Sequence, residues 1–385
     1  MPERLRKYFK GDAIIWALLI VLSILSLLAV YSSTFTLAYQ YRSGHVGYYL
    51  FKHILFILFG FMVVYITHLV PYRYYSRISQ LLVIISVPLL IITLLFGRNV
   101  NEASRWLTLP GTGVTFQTSD LAKLALIMYI ARLLSLKQDN IQSFKEAFRP
   151  IVLPVLLICG LIMPANLSTA VLLFTVSVVL MFVGRIRFRY IALLVTTAAA
   201  VIMILASIAV KSDWEGRWET WRNRIVHHVE QESDGNYQAE QSKIAIATSG
   251  ILGKGPGNSM QRNFLPQPYS DFIYSIIIEE YGLLGGIFVI LLYLVLLYRA
   301  GLLVRGSTRT FSAFLAFGLA LMLVLQAMMN MAVAVGILPV TGQPLPMISM
   351  GGTSILFTSA AIGIILSVSQ GIQKQNSETS VHEAT

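Results

Sequence analysis

Charged side chains are scarce in this sequence. Asp, Glu, Lys and Arg make up 12% of its 385 residues, while 56% are hydrophobic. That is about half the charge share of a globular domain, which excludes an ordinary soluble fold. Cysteine is nearly missing: Cys159 stands alone inside an apolar run, so there is neither an intrachain disulfide nor a cysteine metal site. The six histidines (His45, His53, His68, His227, His228, His382) are scattered without ligand spacing. With no HExxH run and no nucleophile elbow either, protein-bound zinc has no ligand set. Also missing are the ten-residue stretches of alternating polarity that make an outer-membrane barrel.

What is present is a series of long apolar runs, at about 13 to 31, 51 to 70, 79 to 96, 121 to 136, 150 to 163, 168 to 184, 190 to 210, 272 to 298, 311 to 338 and 351 to 370. A helix needs about 20 apolar residues to cross a bilayer. The expected fold is therefore all-α, a polytopic membrane protein with about ten transmembrane helices and one large extracytoplasmic loop between the seventh and eighth. Only Pro164, Ala165 and Asn166 separate the fifth and sixth runs, so one broken helix is the alternative there. The basic start (Arg4, Arg6, Lys7, Lys10) leads into a run too long for a signal peptide and without a small-residue cleavage pattern, which reads as a retained first helix. A single transmembrane domain is expected over residues 1–370, with 211–270 as the large loop and 371–385 as a polar, mobile, cytoplasmic tail.

The net charge of +11 would suggest nucleic acid in a soluble protein; in a membrane protein Lys and Arg gather in cytoplasmic loops, and no nucleic-acid partner is expected. Alternate loops carry Arg73 and Arg77, then Lys137, Lys145 and Arg149, then Arg185, Arg187 and Arg189, then Arg299, Arg305 and Arg309. These loops and both termini are thus expected in the cytoplasm. In the long outer segment, Trp214, Trp218, Trp221, Ile225 and Val229 recur at helical spacing, which suits an interfacial anchor helix better than a sugar-stacking surface.

Ionisable groups inside a membrane protein are functional candidates by default. In Gln117-Thr118-Ser119-Asp120-Leu121-Ala122-Lys123, Ser119 is placed to cap a helix and Asp120 lies one turn before Lys123, the spacing of a salt bridge. The functional alternative is that Lys123 and Arg105 offer cations to a phosphate. Asp271 stands at the mouth of the eighth helix, where a helix cap is the plain reading and chemistry the other. Glu279 and Glu280 lie deeper and are expected to be paired inside the bundle, with Gly282 and Gly286 at GxxxG spacing packing against a neighbouring helix. Gly253-Lys254-Gly255-Pro256-Gly257 lacks the Ser or Thr of a Walker loop; as a flexible loop it can still bring Lys254, with Gln261 and Arg262, to an anion.

The segment from Leu338 through Pro339-Val340-Thr341-Gly342-Gln343-Pro344-Leu345-Pro346-Met347-Ile348-Ser349-Met350 to Gly351-Gly352-Thr353-Ser354 reads as a proline-rich outer hairpin feeding a helix whose free N–H groups suit an anion at Ser349, Gly351 and Gly352. It resembles the signature of the FtsW/RodA, or SEDS, family of bacterial cell-wall polymerases. Further matches are Arg105-Trp106, the Gln117 to Lys123 run, Gly253-Lys254-Gly255, Leu265 to Ile273 and Glu279-Glu280-Tyr281-Gly282, in order along most of the chain. The family usually has Glu at Asp120, Lys at Arg262, and Asp-Leu-Gly-Thr where this chain reads Asn166-Leu167-Ser168-Thr169, so Asn166 takes no charged role.

The resemblance implies a peptidoglycan glycosyltransferase of the cytoplasmic membrane that polymerises lipid II at its outer face, with Asp271 as general base and Arg105, Lys123 and Arg262 beside the pyrophosphate. Pro339-Val340-Thr341-Gly342 is more similar to the division branch than to the elongation, RodA-like branch, implying a class B penicillin-binding transpeptidase and other division membrane proteins as partners. No cofactor is implied, and dependence on a divalent cation is left open. A flippase for lipid-linked precursors shares the helices and buried charges, but no inverted repeat is visible. A pure scaffold leaves the outer-face motifs without a use.

Overall fold

The computed structural model describes residues 10–35, 46–100, 103–108, 115–211, 237–265 and 267–383. The tryptophan-rich stretch expected to form an interfacial helix lies outside them. Helices cover the apolar runs: α1 (Ala13–Ser33), α2 (Val46–Leu69) and α3 (Tyr72–Phe96) come first. Then come strands β1 (Arg98–Val100), β2 (Ala103–Thr108) and β3 (Thr115–Gln117), and helices α4 (Thr118–Leu136), α5 (Arg149–Ile162), α6 (Leu167–Val183), α7 (Phe188–Lys211) and α8 (Tyr237–Ala247). The chain continues through α9 (Ile273–Arg305), α10 (Thr310–Ala334) and α11 (Gly352–Glu383). Helices α1, α2, α3, α9, α10 and α11 are long and apolar enough to cross a membrane, so this is a multi-pass membrane protein.

Two expectations need correction. The chain is mostly helical but not all-α, because β1, β2 and β3 form an antiparallel sheet in that order, pairing Arg98 with Trp106 and Trp106 with Gln117. Short strands of mixed polarity are invisible to a hydropathy reading. The residues from Gly371, read as a mobile tail, continue α11 through Glu383; Gln, Lys and Glu are good helix formers, and nothing in that stretch breaks a helix already started. The fifth and sixth runs form two helices, α5 and α6, and not the alternative of one broken helix, since Asn166 caps α6 by accepting from Thr169 N at 3.2 Å.

The fold divides into two compact units, residues 76–237 and residues 1–75 with 238–385. In the first, α4, α5 and α6 pack on one another and α7 on α6. Arg132, on α4, donates to Ser76 Oγ at 2.6 Å, and Thr93 on α3 to Thr118 at 3.0 Å. In the second, α2 lies along α11, α9 packs on α1 and α10, and α10 on α11. At Gly363 a Cβ would meet Thr67 Oγ1 at 1.9 Å, the close backbone approach that small residues permit between membrane helices. Asp12 starts α1 by accepting from Ile14 N at 2.8 Å, and it also takes Arg299 Nε of α9 at 2.8 Å.

Candidate functional site

The chemistry-bearing residues form one cluster in each unit. In the unit of residues 1–75 and 238–385, the anchor is the run 339–350. The expected outer hairpin is instead an irregular, buried strap: Gln343, Leu345, Met347, Ile348 and Ser349 are all buried. Prolines at 339, 344 and 346 prevent a ladder, and buried carbonyls require donors from elsewhere. Side chains supply them. Asn330 Nδ2 donates to Gln343 O (2.8 Å), Gln326 Nε2 to Pro344 O (2.9 Å), Tyr293 Oη to Pro346 O (2.5 Å) and Ser26 Oγ to Ile348 O (2.8 Å).

The strap in turn grips the entry to α9. Three consecutive carbonyls are taken: Tyr269 O by Met350 N at 2.9 Å, Ser270 O by Ser349 Oγ at 2.6 Å, and Asp271 O by Asn330 Nδ2 at 2.8 Å. Ser270 Oγ donates to Asp271 Oδ1 at 3.0 Å, and Asp271 is half-buried. The result is a carboxylate on a backbone tied down at each residue leading to it. The N-cap position of α9 belongs to Phe272 and not to Asp271, against the plain reading of the sequence. Gly351 and Gly352 open α11, and Gly352 sits against the Phe56 ring, which a Cβ would meet at 3.2 Å.

Deeper in α9, Glu279 and Glu280 are 0% and 1% exposed. Glu279 accepts from Lys254 Nζ (2.6 Å), Ser259 Oγ (2.5 Å) and Met260 N (3.1 Å). Glu280 accepts from Ser32 Oγ, and Arg262 Nη1 reaches the same Ser32 Oγ at 3.1 Å with its guanidinium over the Phe35 ring. Lys254, expected to reach an anion, therefore pairs with Glu279 and Thr248 and anchors the loop carrying Gln261 and Arg262. A charge inside a bundle is held by the nearest opposite charge, and Glu279 is that partner.

The GxxxG reading also fails. Gly282 is a break in α9 (φ 71°, ψ −172°), not a contact point for another helix. The loop before it fills the break: Lys254 N and Gly255 N donate to Glu279 O and Glu280 O at 3.0 and 2.9 Å, while Leu283 N and Leu284 N donate to Gly250 O and Ile251 O at 3.1 and 3.3 Å. Non-helical backbone at membrane depth persists only where protein groups satisfy it in this way. Gly286 faces Tyr274 and Ile278 of its own helix.

In the unit of residues 76–237, Asp120 and Lys123 make the expected salt bridge at 2.9 Å and are 5% and 4% exposed. Ser119 does not cap α4. Gln117 holds the N-cap position without a side-chain bond to a helix backbone N–H, and its amide instead donates to Ser119 Oγ at 3.0 Å. Arg105 lies on β2, next to Trp106, which pairs with Gln117; its side chain lies outside the described residues. Among the described residues no group of three or more His, Cys, Asp or Glu is placed to hold a metal ion. Sequence reasoning missed Asn330, although Gln326 and Asn330, one turn apart on the apolar α10, were a visible signal.

Residues 12–374 match the FtsW/RodA/SpoVE family model, described as a cell cycle protein. A probable peptidoglycan glycosyltransferase FtsW of Trichlorobacter lovleyi is 31% identical over 382 residues, 97% of each chain. A protein of the same name from Coxiella burnetii is 31% identical over 363 residues, covering 92% of this chain and 95% of its own. Two solved structures share the fold. The rod shape determining protein RodA of Thermus thermophilus has a TM-score of 0.68 at 22% identity, covering 94% of this chain and 97% of that one. A chain from a peptidoglycan synthase complex that coordinates polymerization and crosslinking has a TM-score of 0.74 at 23% identity, covering 94% and 98%.

Proposed function

The chain belongs to the FtsW/RodA/SpoVE family, and from that premise we propose that it is a peptidoglycan glycosyltransferase polymerising lipid II during cell division. The observation that carries this reading is the carboxylate of Asp271, half-buried on a backbone clasped at three successive carbonyls. Such rigidity suits a base that must sit within about 2.6–3.2 Å of the proton it removes. In the reaction, a sugar hydroxyl of one lipid-linked disaccharide attacks the anomeric carbon of another. Asp271 takes the hydroxyl proton as the new glycosidic bond forms, and undecaprenyl pyrophosphate departs with the electron pair. Direct displacement turns the α-linked donor into a β-linked strand, with no covalent aspartyl intermediate. Arg262, in the unit that holds Asp271, offsets the charge developing on the pyrophosphate; Lys254 and Glu279 fix the loop of Gln261 and Arg262, Ser349 ties the strap to Ser270, and Gly351 and Gly352 open α11. In the other unit Asp120 fixes Lys123, and Lys123 and Arg105 offer cations to a phosphate.

Ten membrane spans, cytoplasmic termini and an outer-face site complete the proposal, because that arrangement leaves the short basic loops inside. The division branch is favoured by Thr341-Gly342 and by the names of the relatives. A class B penicillin-binding transpeptidase is the proposed partner, supported by the synthase complex that shares the fold.

Purified full-length chain in liposomes with lipid II is expected to give glycan polymer, measured with and without the transpeptidase. A chain that carried labelled lipid II across the bilayer and made no polymer even with the partner would overturn the enzyme reading in favour of a flippase. Orientation has its own test. A cysteine replacing Ser233 should react with a membrane-impermeant thiol reagent from the outer side, the native Cys159 being buried. Labelling from the cytoplasmic side alone would reverse the topology.

A further inference from the structure

We propose that Asn330 is a positioning residue for the Asp271 carboxylate, an inference that rests on Asp271 being the base. Asn330 lies in α10 and is 1% exposed. Its amide nitrogen carries two hydrogens, and both are used: one goes to Asp271 O and the other to Gln343 O, each at 2.8 Å. One planar group thus sets the separation between the strap and the entry to α9. The Asp271 carbonyl needs an outside donor, because the ladder of α9 begins one residue later: Ser275 N and Ile276 N donate to Phe272 O at 3.1 and 3.4 Å.

The clasp has three ties, and they do different things. Those on Tyr269 O and Ser270 O hold the peptides before Asp271. The tie from Asn330 holds the peptide after it. With both flanking peptide planes held, the Cα–Cβ bond of Asp271 has one direction; with the second plane released, the carboxylate swings. A misplacement of about 1 Å can lower a rate by about 10²-fold. Gln326, one turn away on α10, makes the matching bond to Pro344 O, which lies on the strap and not on Asp271, so it serves as a control for strap stability.

The test is a double-mutant cycle on the full chain in liposomes with lipid II, measuring kcat and KM for the wild type, Asn330→Ala, Asp271→Asn and the pair. Asn330→Ala is expected to lower kcat by about 10- to 100-fold with little change in KM. The double variant should be no slower than Asp271→Asn alone, because a residue that acts through the base has nothing left to position. Gln326→Ala should instead multiply with Asp271→Asn. Folding is followed by gel filtration, and Asn330→Leu, close in size but without any donor, repeats the cycle if the alanine variant fails to fold. If the losses multiply, if Asn330→Ala turns over like the wild type, or if neither variant folds, Asn330 supports the fold and the inference is overturned while the base stands. If Asp271→Asn itself turns over like the wild type, the base reading falls and the inference falls with it.

Discussion

Replacing Asp271 with Asn is expected to slow lipid II polymerisation by about 10² to 10⁴, the usual loss when a general base is removed. The change keeps the shape of the side chain, and an amide oxygen can accept from Ser270 Oγ as the carboxylate does at 3.0 Å. The three ties that fix this stretch are made to backbone carbonyls and do not depend on the side chain. The variant should therefore insert and fold like the wild type, so the loss reads chemistry and not stability. The helix-cap alternative makes the opposite forecast, since Asn caps about as well as Asp. A well-folded Asp271→Asn chain that polymerised at more than about a tenth of the wild-type rate would remove Asp271 from the role of base.

Gly282→Ala is expected to destabilise the protein by about 3 kcal/mol or more. The backbone at φ 71° and ψ −172° is a region only glycine occupies readily, which alone costs a side chain about 1–3 kcal/mol. A Cβ there would also lie 2.1 Å from Ile251 O, a contact with backbone that no rotamer change relieves. Separating the loop from the break in α9 loosens the bonds from Lys254, Gly255, Leu283 and Leu284, and each buried amide left unpaired costs about 1–3 kcal/mol. Loss of folded protein on gel filtration, or a much lower midpoint of thermal unfolding in detergent, is the expected result. Unfolding like the wild type would show that α9 runs straight through Gly282. Gly286→Ala gives a contrast, because the atoms it would crowd are side-chain atoms of Ile278 and Tyr274.

The helices were legible because a bilayer forces long apolar runs to be helical, and a run such as 311 to 338 has no other way to satisfy its backbone. The small sheet at Arg98 to Gln117 was not legible, since its strands are only three to six residues long and owe their form to pairing and not to periodicity. Spacing identified the Asp120–Lys123 bridge because helix geometry is local. It misread Lys254, whose partner Glu279 is 25 residues away, and Gly282, whose GxxxG spacing hid a break filled by Ile251 and Gly253. Asp271 was singled out by resemblance and position; what holds its backbone was not legible, because Asn330 and Ser349 reach the carbonyls of Asp271 and Ser270 only after the chain has folded back.

That fold-back sets an order on biogenesis. Asn330 lies 59 residues after Asp271, and Ser349 lies 79 after Ser270. A nascent chain that has inserted α9 has the carboxylate and Ser270 beside it but none of the ties to its backbone. The aspartate becomes fixed only when translation has passed Met350 and the strap has been tied to the entry of α9. A chain that ends before Met350 thus lacks the complete clasp around the proposed base and is expected to be inactive.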